Sequence, residues 1–256
     1  MTMKLLDVVF QENIAILTLK RPEKRNALCD AMVEELEKFF SQVPEGCRCI
    51  ILQGSGTHFS AGLDLIELMA TRSPDPIVAM RRSKKWHNVF NLIEFSEVPV
   101  ISVLKGGVIG GGFELAAATH IRIADPSTFY QLPEGQRGIF LGGGGSVRIP
   151  RLIGSSRTIE MMLTGRTISA HEGERLGISH YLVESNDAFD KALELANKVA
   201  SNAPTSNYAI INGIPRISEM GTADGSFAET MVCAMTRNSG ESSARIKDFF
   251  SSREKT

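Results

Sequence analysis

Apolar residues recur along this chain with two different periods. The runs VVF (Val8 to Phe10) and IAILTL (Ile14 to Leu19) stand on either side of the polar QEN, which predicts two strands of a hairpin. DAMVEELEKFFSQV then carries Met32, Leu36, Phe39 and Val43 on one helical face, with Asp30 placed to cap it. CIIL, PVISVL and HIRIAD are short apolar runs that read as further strands, and PVISVL feeds directly into the glycines of GGVIGGGFE. Strands alternating with helical stretches predict an α/β fold with parallel strands. After Pro204 the strand pattern stops, and DGSFAETMVCAMTRN and ESSARIKDFFSS carry helical patterns. The chain therefore divides into a core, residues 1–202, and a helical C-terminal subdomain, residues 203–256. TRSPDP (Thr71 to Pro76) reads as a mobile loop, and no internal repeat is visible in the sequence.

Charge changes this picture by exclusion. With 28 Lys and Arg against 29 Asp and Glu, the formal charge is −1, so nothing marks a nucleic-acid footprint or a polybasic membrane patch. The basic run Arg81, Arg82, Lys84 and Lys85 reads as the solvated face of a helix. Cys29, Cys47, Cys49 and Cys233 lack both metal-ligand spacing and the density of a disulfide scaffold, which fits a reducing compartment. No stretch approaches about 18 consecutive apolar residues, and the N-terminus has no signal-peptide pattern. The sequence reads as a soluble protein of the cytoplasm or a mature organellar form.

Two segments carry candidate chemistry. In GGVIGGGFE, Gly107 is followed by Val108 and Ile109 before Gly110, so the dinucleotide spacing G-x-G-x-x-G is absent. Neither this segment nor GGGGSVR (Gly142 to Arg148) carries the lysine of a phosphate loop. A strand end that feeds a helix nevertheless leaves backbone N–H groups free for an anion or a developing oxyanion. Tight packing alone would also explain the glycines. GTHFSAGLDLIELM is a second such turn, in which Asp64 is either a helix cap or part of a site. Glu114 and Glu134, twenty residues apart, add a pair of carboxylates.

Five blocks occur together and in order: RPEKRNAL, FSAGLDL, GGGFELA, PEGQRGIFLGGGGS and MMLTGRTISAHEGERLGISHYLV. In this order and spacing they resemble the crotonase, or enoyl-CoA hydratase, family over nearly the whole chain. The resemblance implies a spiral of ββα repeats with C-terminal helices that assemble trimers or hexamers. It implies an acyl-CoA thioester as substrate, no permanently bound cofactor and no metal. By the same resemblance, the N–H groups of Leu63 and Gly111 would hold the thioester oxygen. Glu114 would orient or deprotonate the water that adds at C3, and Glu134 would act as acid and base at C2. Arg25, Ala27, Ala61, Asp64 and Leu65 would contact the CoA portion. Two positions depart from the family pattern: Leu141 replaces a proline and His120 replaces an acid, while Phe140 and Leu141 would shape the acyl pocket. LPEGQRGIFLGGGGSVRIPRLIG is most similar to a bacterial branch that includes methylthioacryloyl-CoA hydratases.

Hydration is the activity implied first, because adding OH and H to adjacent carbons suits two carboxylates on one water. An isomerase, or a hydrolase or decarboxylase on the same scaffold, is the alternative. A noncatalytic acyl-CoA or RNA-binding relative is the reading of a different class. A Clp-type serine protease would need a serine and histidine at the site, and His58, His87, His120, His171 and His180 show no such arrangement.

Overall fold

The computed structural model describes residues 3–253; the ends of both sequence-based divisions, residues 1–2 and 254–256, lie outside them. Strands β1 (Leu6–Gln11) and β2 (Ile14–Leu19) pair antiparallel, with Glu12 at a left-handed φ of 54° in the two-residue turn. Helix α1 (Asp30–Phe40) buries Met32, Leu36 and Phe39 as their spacing predicts. Its cap position, however, is Cys29, with no side-chain cap. Asp30 is instead the first helical residue, and its carboxylate accepts from Arg82 Nε at 2.9 Å and from the Trp86 indole at 3.3 Å.

Three turns of chain then follow one path. In the first, β3 (Cys49–Gly54) lies parallel to β2, Ser60 bridges to Val108, and α2 (Leu65–Ala70) and α3 (Pro76–Glu94) follow. In the second, β4 (Val100–Leu104) lies beside β3, β5 (Gly107–Ile109) enters a smaller sheet, and α4 (Gly111–Ala117) returns. In the third, β6 (Ile121–Ala124) joins β4 and β7 (Phe129–Gln131) joins β5. A 3-10 turn at Gly135–Arg137, α5 (Gly145–Ile153) and α6 (Ser155–Thr164) complete it. Strand β8 (Thr167–Ser169) runs antiparallel to β7, and after α7 (Ala170–Arg175) strand β9 (Tyr181–Leu182) extends the large sheet from β6. The repeated strand, strand, helix path is the ββα spiral. The repeat is structural: the stacked turns share little sequence, so it does not show in the chain.

The central strands of the large sheet, β3 and β4, are buried on both faces, which explains why CIIL reads as a continuous apolar run. Ile50 and Leu52 face the main core with Met32, Phe90 and Phe113, whereas Cys49 and Ile51 face α8 (Ala188–Ala200) through Ala192 and Ala196. The remaining helices, α9 (Pro204–Ile217), α10 (Thr222–Arg237) and α11 (Gly240–Arg253), contain no strand between them. Helix α9 docks on the end of α3: Asn212 Nδ2 donates to Ser96 O at 3.1 Å, and the Arg216 guanidinium lies over the Phe95 ring. Among the described residues no helix is long and apolar enough to cross a membrane.

Two histidines occupy equivalent places in successive turns. The His120 N–H donates to Val100 O at 2.9 Å, and Val100 N–H donates back to His120 Nδ1 at 2.9 Å. His180 repeats the exchange with Arg122, at 2.8 and 3.1 Å. Each ring clasps its own turn to a strand of the turn before. His120, a departure from the family pattern, thus has a structural partner on both sides, since Nε2 lies 3.1 Å from Glu94 O.

Candidate active site

The small sheet places three of the candidate residues. Leu63 comes three residues after Ser60, Gly111 two after Ile109 and Glu134 three after Gln131, so each leaves the exit of one segment of that sheet. Neighbouring segments are laced together by Ile109 N–H to Ser60 O at 3.1 Å and Gly110 N–H to Gln131 O at 2.9 Å. The result brings Leu63, Gly111, Glu114 and Glu134 to one cavity of about 520 Å³.

The backbone around the first two is built to leave donors free. Leu28 donates to Gly62 O and accepts from Asp64 N–H, which fixes both neighbours of Leu63. The Leu63 N–H has no acceptor among the described residues, nor does that of Gly111, the first residue of α4. A methyl group on Gly111 would sit 3.4 Å from the Leu63 nitrogen, so the two N–H groups are close neighbours. Gly110 has φ +50° and a methyl there would stand 2.5 Å from Glu134 Oε1. Only glycine meets both demands.

Both carboxylates are almost fully out of solvent, at 3% exposure for Glu114 and 5% for Glu134. Glu114 Oε1 accepts the N–H groups of Gly143 and Gly145, each at 2.8 Å. Burial raises its pKa, and those amides act in the opposite direction. Glu134 has less help: its Oε2 is buried without a hydrogen-bond partner among the described residues. Burial, with the Glu114 charge as a further cause, pushes it up to about 7, against a lowering by Arg137. A carboxyl group poised near neutrality can give or take a proton at working pH.

Helix α3 supplies a wall of the cavity through Val78, Ala79, Arg82, Ser83 and Trp86, with Phe140 on the opposite chain segment. Reading the basic run as a solvated face misses this. Arg82 is tied to Asp30 at 2.9 Å and to Glu67 at 3.0 Å, and Lys85 is paired with Glu34. The single tryptophan at the end of that run was the available signal. Phe140 is 69% exposed at the cavity, whereas Leu141 is buried in the core and lines no part of it.

Of the residues assigned to CoA, Leu65 lines the cavity and Arg25, Ala27, Ala61 and Asp64 do not. Asp64 caps α2 by accepting from Ile66 and Glu67 N–H and pairs with Arg21 at 2.9 Å. Arg25 O accepts from Ala61 N–H at 2.9 Å, and Asn26 Nδ2 reaches Ser55 O and His58 O. RPEKRNAL therefore braces the segment that presents Leu63. TRSPDP is exposed apart from half-buried Ser73, and Thr71, Arg72 and Ser73 border the cavity. No group of three or more His, Cys, Asp or Glu that could hold a metal occurs among the described residues.

Residues 9–254 match the family model described as Enoyl-CoA hydratase/isomerase. A solved structure from Rhodopseudomonas palustris CGA009, provisionally named an enoyl-CoA hydratase, is 46% identical with a TM-score of 0.94, covering 98% of this chain and 96% of that one. The enoyl-CoA hydratase of Bacillus anthracis is 29% identical with a TM-score of 0.89, covering 98% and 97%. A short-chain-enoyl-CoA hydratase of Clostridium acetobutylicum is 32% identical over 207 residues, 79% of this chain and 78% of that protein.

Proposed function

Because this chain belongs to the enoyl-CoA hydratase/isomerase family, we propose that it adds water syn across the 2,3 double bond of an enoyl-CoA thioester. The observation that carries this reading is the meeting of two buried glutamates and two unpartnered backbone N–H groups at one cavity. In this mechanism the Leu63 and Gly111 N–H groups receive the thioester oxygen as it gains charge, and such preorganised donors lower the barrier to the enolate. Glu114 accepts a hydrogen bond from water and draws off its proton as the water oxygen bonds to C3. Glu134 delivers a proton to C2. One proton is thus carried by the carboxylate pair before and after the reaction, and it returns to Glu134 before the next cycle.

The double-bond isomerase remains the second reading, since one carboxylate suffices to move a proton between carbons. Glu114 favours hydration: it is held in place by two amides and faces the same cavity, which an isomerase would not require. For the acyl group, the similarity of the Leu132 to Gly154 segment to methylthioacryloyl-CoA hydratases makes that thioester the substrate to assay beside crotonyl-CoA. CoA is substrate here, with no permanent cofactor.

The test is turnover of a short 2-enoyl-CoA, followed by loss of the conjugated thioester absorbance, with a 3-enoyl isomer in parallel. Glu114→Gln and Glu134→Gln should each lose roughly 10²-fold to 10⁴-fold in hydration. The double variant should lose little more than the worse single one. Glu114→Gln should spare double-bond migration and Glu134→Gln should abolish both. A Glu114→Gln variant that hydrates at the parent rate transfers the assignment to an isomerase.

A further inference from the structure

The loop that grips Glu114 is itself gripped. Gly143 and Gly145 give their N–H groups to one oxygen of that carboxylate, so the position of the oxygen is set by the loop from Gly142 to Gly145. Nothing in a run of four glycines fixes its own shape, because each samples a wide backbone space. The restraint comes from outside. Arg148, on the first turn of α5 and with a side chain only 6% exposed, donates through Nη1 to Gly143 O at 3.0 Å. Its Nε donates to Glu94 Oε2 at 2.7 Å, and its Nη2 donates to Asn91 Oδ1. Ser83 adds a hydroxyl bond to Gly142 O at 2.8 Å. Asn91, Glu94 and Ser83 all belong to α3, the helix that also walls the cavity with Arg82 and Trp86.

We propose that Arg148 is a positioning residue for the reaction, which locks the glycine loop to α3 and thereby aims the Glu114 carboxylate at the water. Arg148 touches neither substrate nor water in this scheme. Its guanidinium spreads three donors in one plane toward three acceptors, which a lysine ammonium, a point charge on a flexible stem, does not reproduce. With the pair to Glu94 weakened, the loop keeps its sequence and loses its register, and the two amides drift off Glu114. The catalytic part of this inference rests on the hydratase reading.

The experiment uses Arg148→Lys, with Glu94→Gln as a second variant should the lysine protein fail to fold, each also combined with Glu114→Gln. Arg148→Lys should lower kcat for hydration of crotonyl-CoA roughly 10-fold to 10²-fold, the scale of a slight misplacement of a reacting group. KM should change by less than about 2-fold, since uniform binding is untouched. In the Glu114→Gln background the same substitution should cost less than about 2-fold more, because its effect passes through a carboxylate already removed. A merely structural arginine would give additive losses, and that result overturns the proposal, as does an unchanged kcat in a folded Arg148→Lys protein. Infrared titration of the Glu114 carboxyl, identified by subtraction of Glu114→Gln, reads the same point without turnover. It should move upward in Arg148→Lys, because amide donors favour the ionised form. If the parent protein hydrates neither crotonyl-CoA nor methylthioacryloyl-CoA, the hydratase reading falls, and the titration still decides whether Arg148 positions Glu114: an unmoved titration overturns that too.

Discussion

At the scale of residues, the two glutamates differ in what they lack. Glu114 is buried with two amide donors and Glu134 is buried with one oxygen unpartnered; burial raises the pKa of both, with the amides opposing it at Glu114 and Glu134 pushed up to about 7. In the proposed mechanism the pair carries one proton between its two members, and the Glu114 charge acts on Glu134, so the titration belongs to the pair. Hydration and its reversal consume no proton overall, so both directions should show one common bell-shaped profile of kcat/KM. Its alkaline limb should lie near pH 7, where the proton on Glu134 is lost. Arg137 is exposed at the cavity and lowers the Glu134 pKa. Arg137→Gln should therefore move the alkaline limb to higher pH, as measured by rate profiles in both directions. A limb that stays in place would show that another group titrates there. The sequence made the two glutamates legible only through the ordered blocks around them. It did not show what holds them, because the donors to Glu114 lie 29 and 31 residues away and meet it through three elements.

At the scale of elements, legibility follows length and apolar content. The strands at CIIL and PVISVL are buried on both faces, IAILTL is buried on one and half-buried on the other, and all three stand out as apolar runs. The small sheet does not: β5, β7 and β8 have three residues each, and β5 lies among glycines where a reader sees a loop. Those three-residue strands exist because neighbouring turns pair with them, which no local pattern records. The same holds for the histidine clasps. His120 uses Nδ1 as acceptor from Val100 N–H, and burial drives its pKa down from 6.5 to about 4. A protonated ring would aim an N–H at an N–H. The unfolded chain takes up this proton as pH falls below about 6.5 and the folded chain does not until about 4, so the clasp contributes stability above 6.5 that is lost across that window. His120→Asn keeps a side-chain oxygen that can accept and removes the titration. Its urea midpoint should fall less steeply than the parent's between pH 6.5 and 4; parallel slopes would assign the acid sensitivity elsewhere.

At the scale of the whole molecule, the C-terminal helices leave an apolar stripe uncovered. Phe227, Met231 and Met235 repeat every four residues along α10 and are 70%, 58% and 54% exposed, with Phe250 exposed on α11. A stripe of this kind on one element marks a contact surface. We propose that residues 203–256 form an oligomerisation subdomain of a trimer or hexamer. Light scattering should give a mass three or six times that of the chain, and Met231→Glu with Met235→Glu should shift it downward. A stable, active monomer of the parent protein would reject this.

The site residues leave the exits of three different turns: Leu63 from the first, Gly111 and Glu114 from the second and Glu134 from the third. In the proposed mechanism no single turn holds enough to do the chemistry. Function is therefore a report on cooperativity, since a partly unwound spiral that kept two turns and shed one would be silent rather than slow. Activity lost in urea should superimpose on loss of the far-ultraviolet helix signal, with no structured and inactive plateau before it. In a population of such molecules, intermediate activity would measure how many are whole.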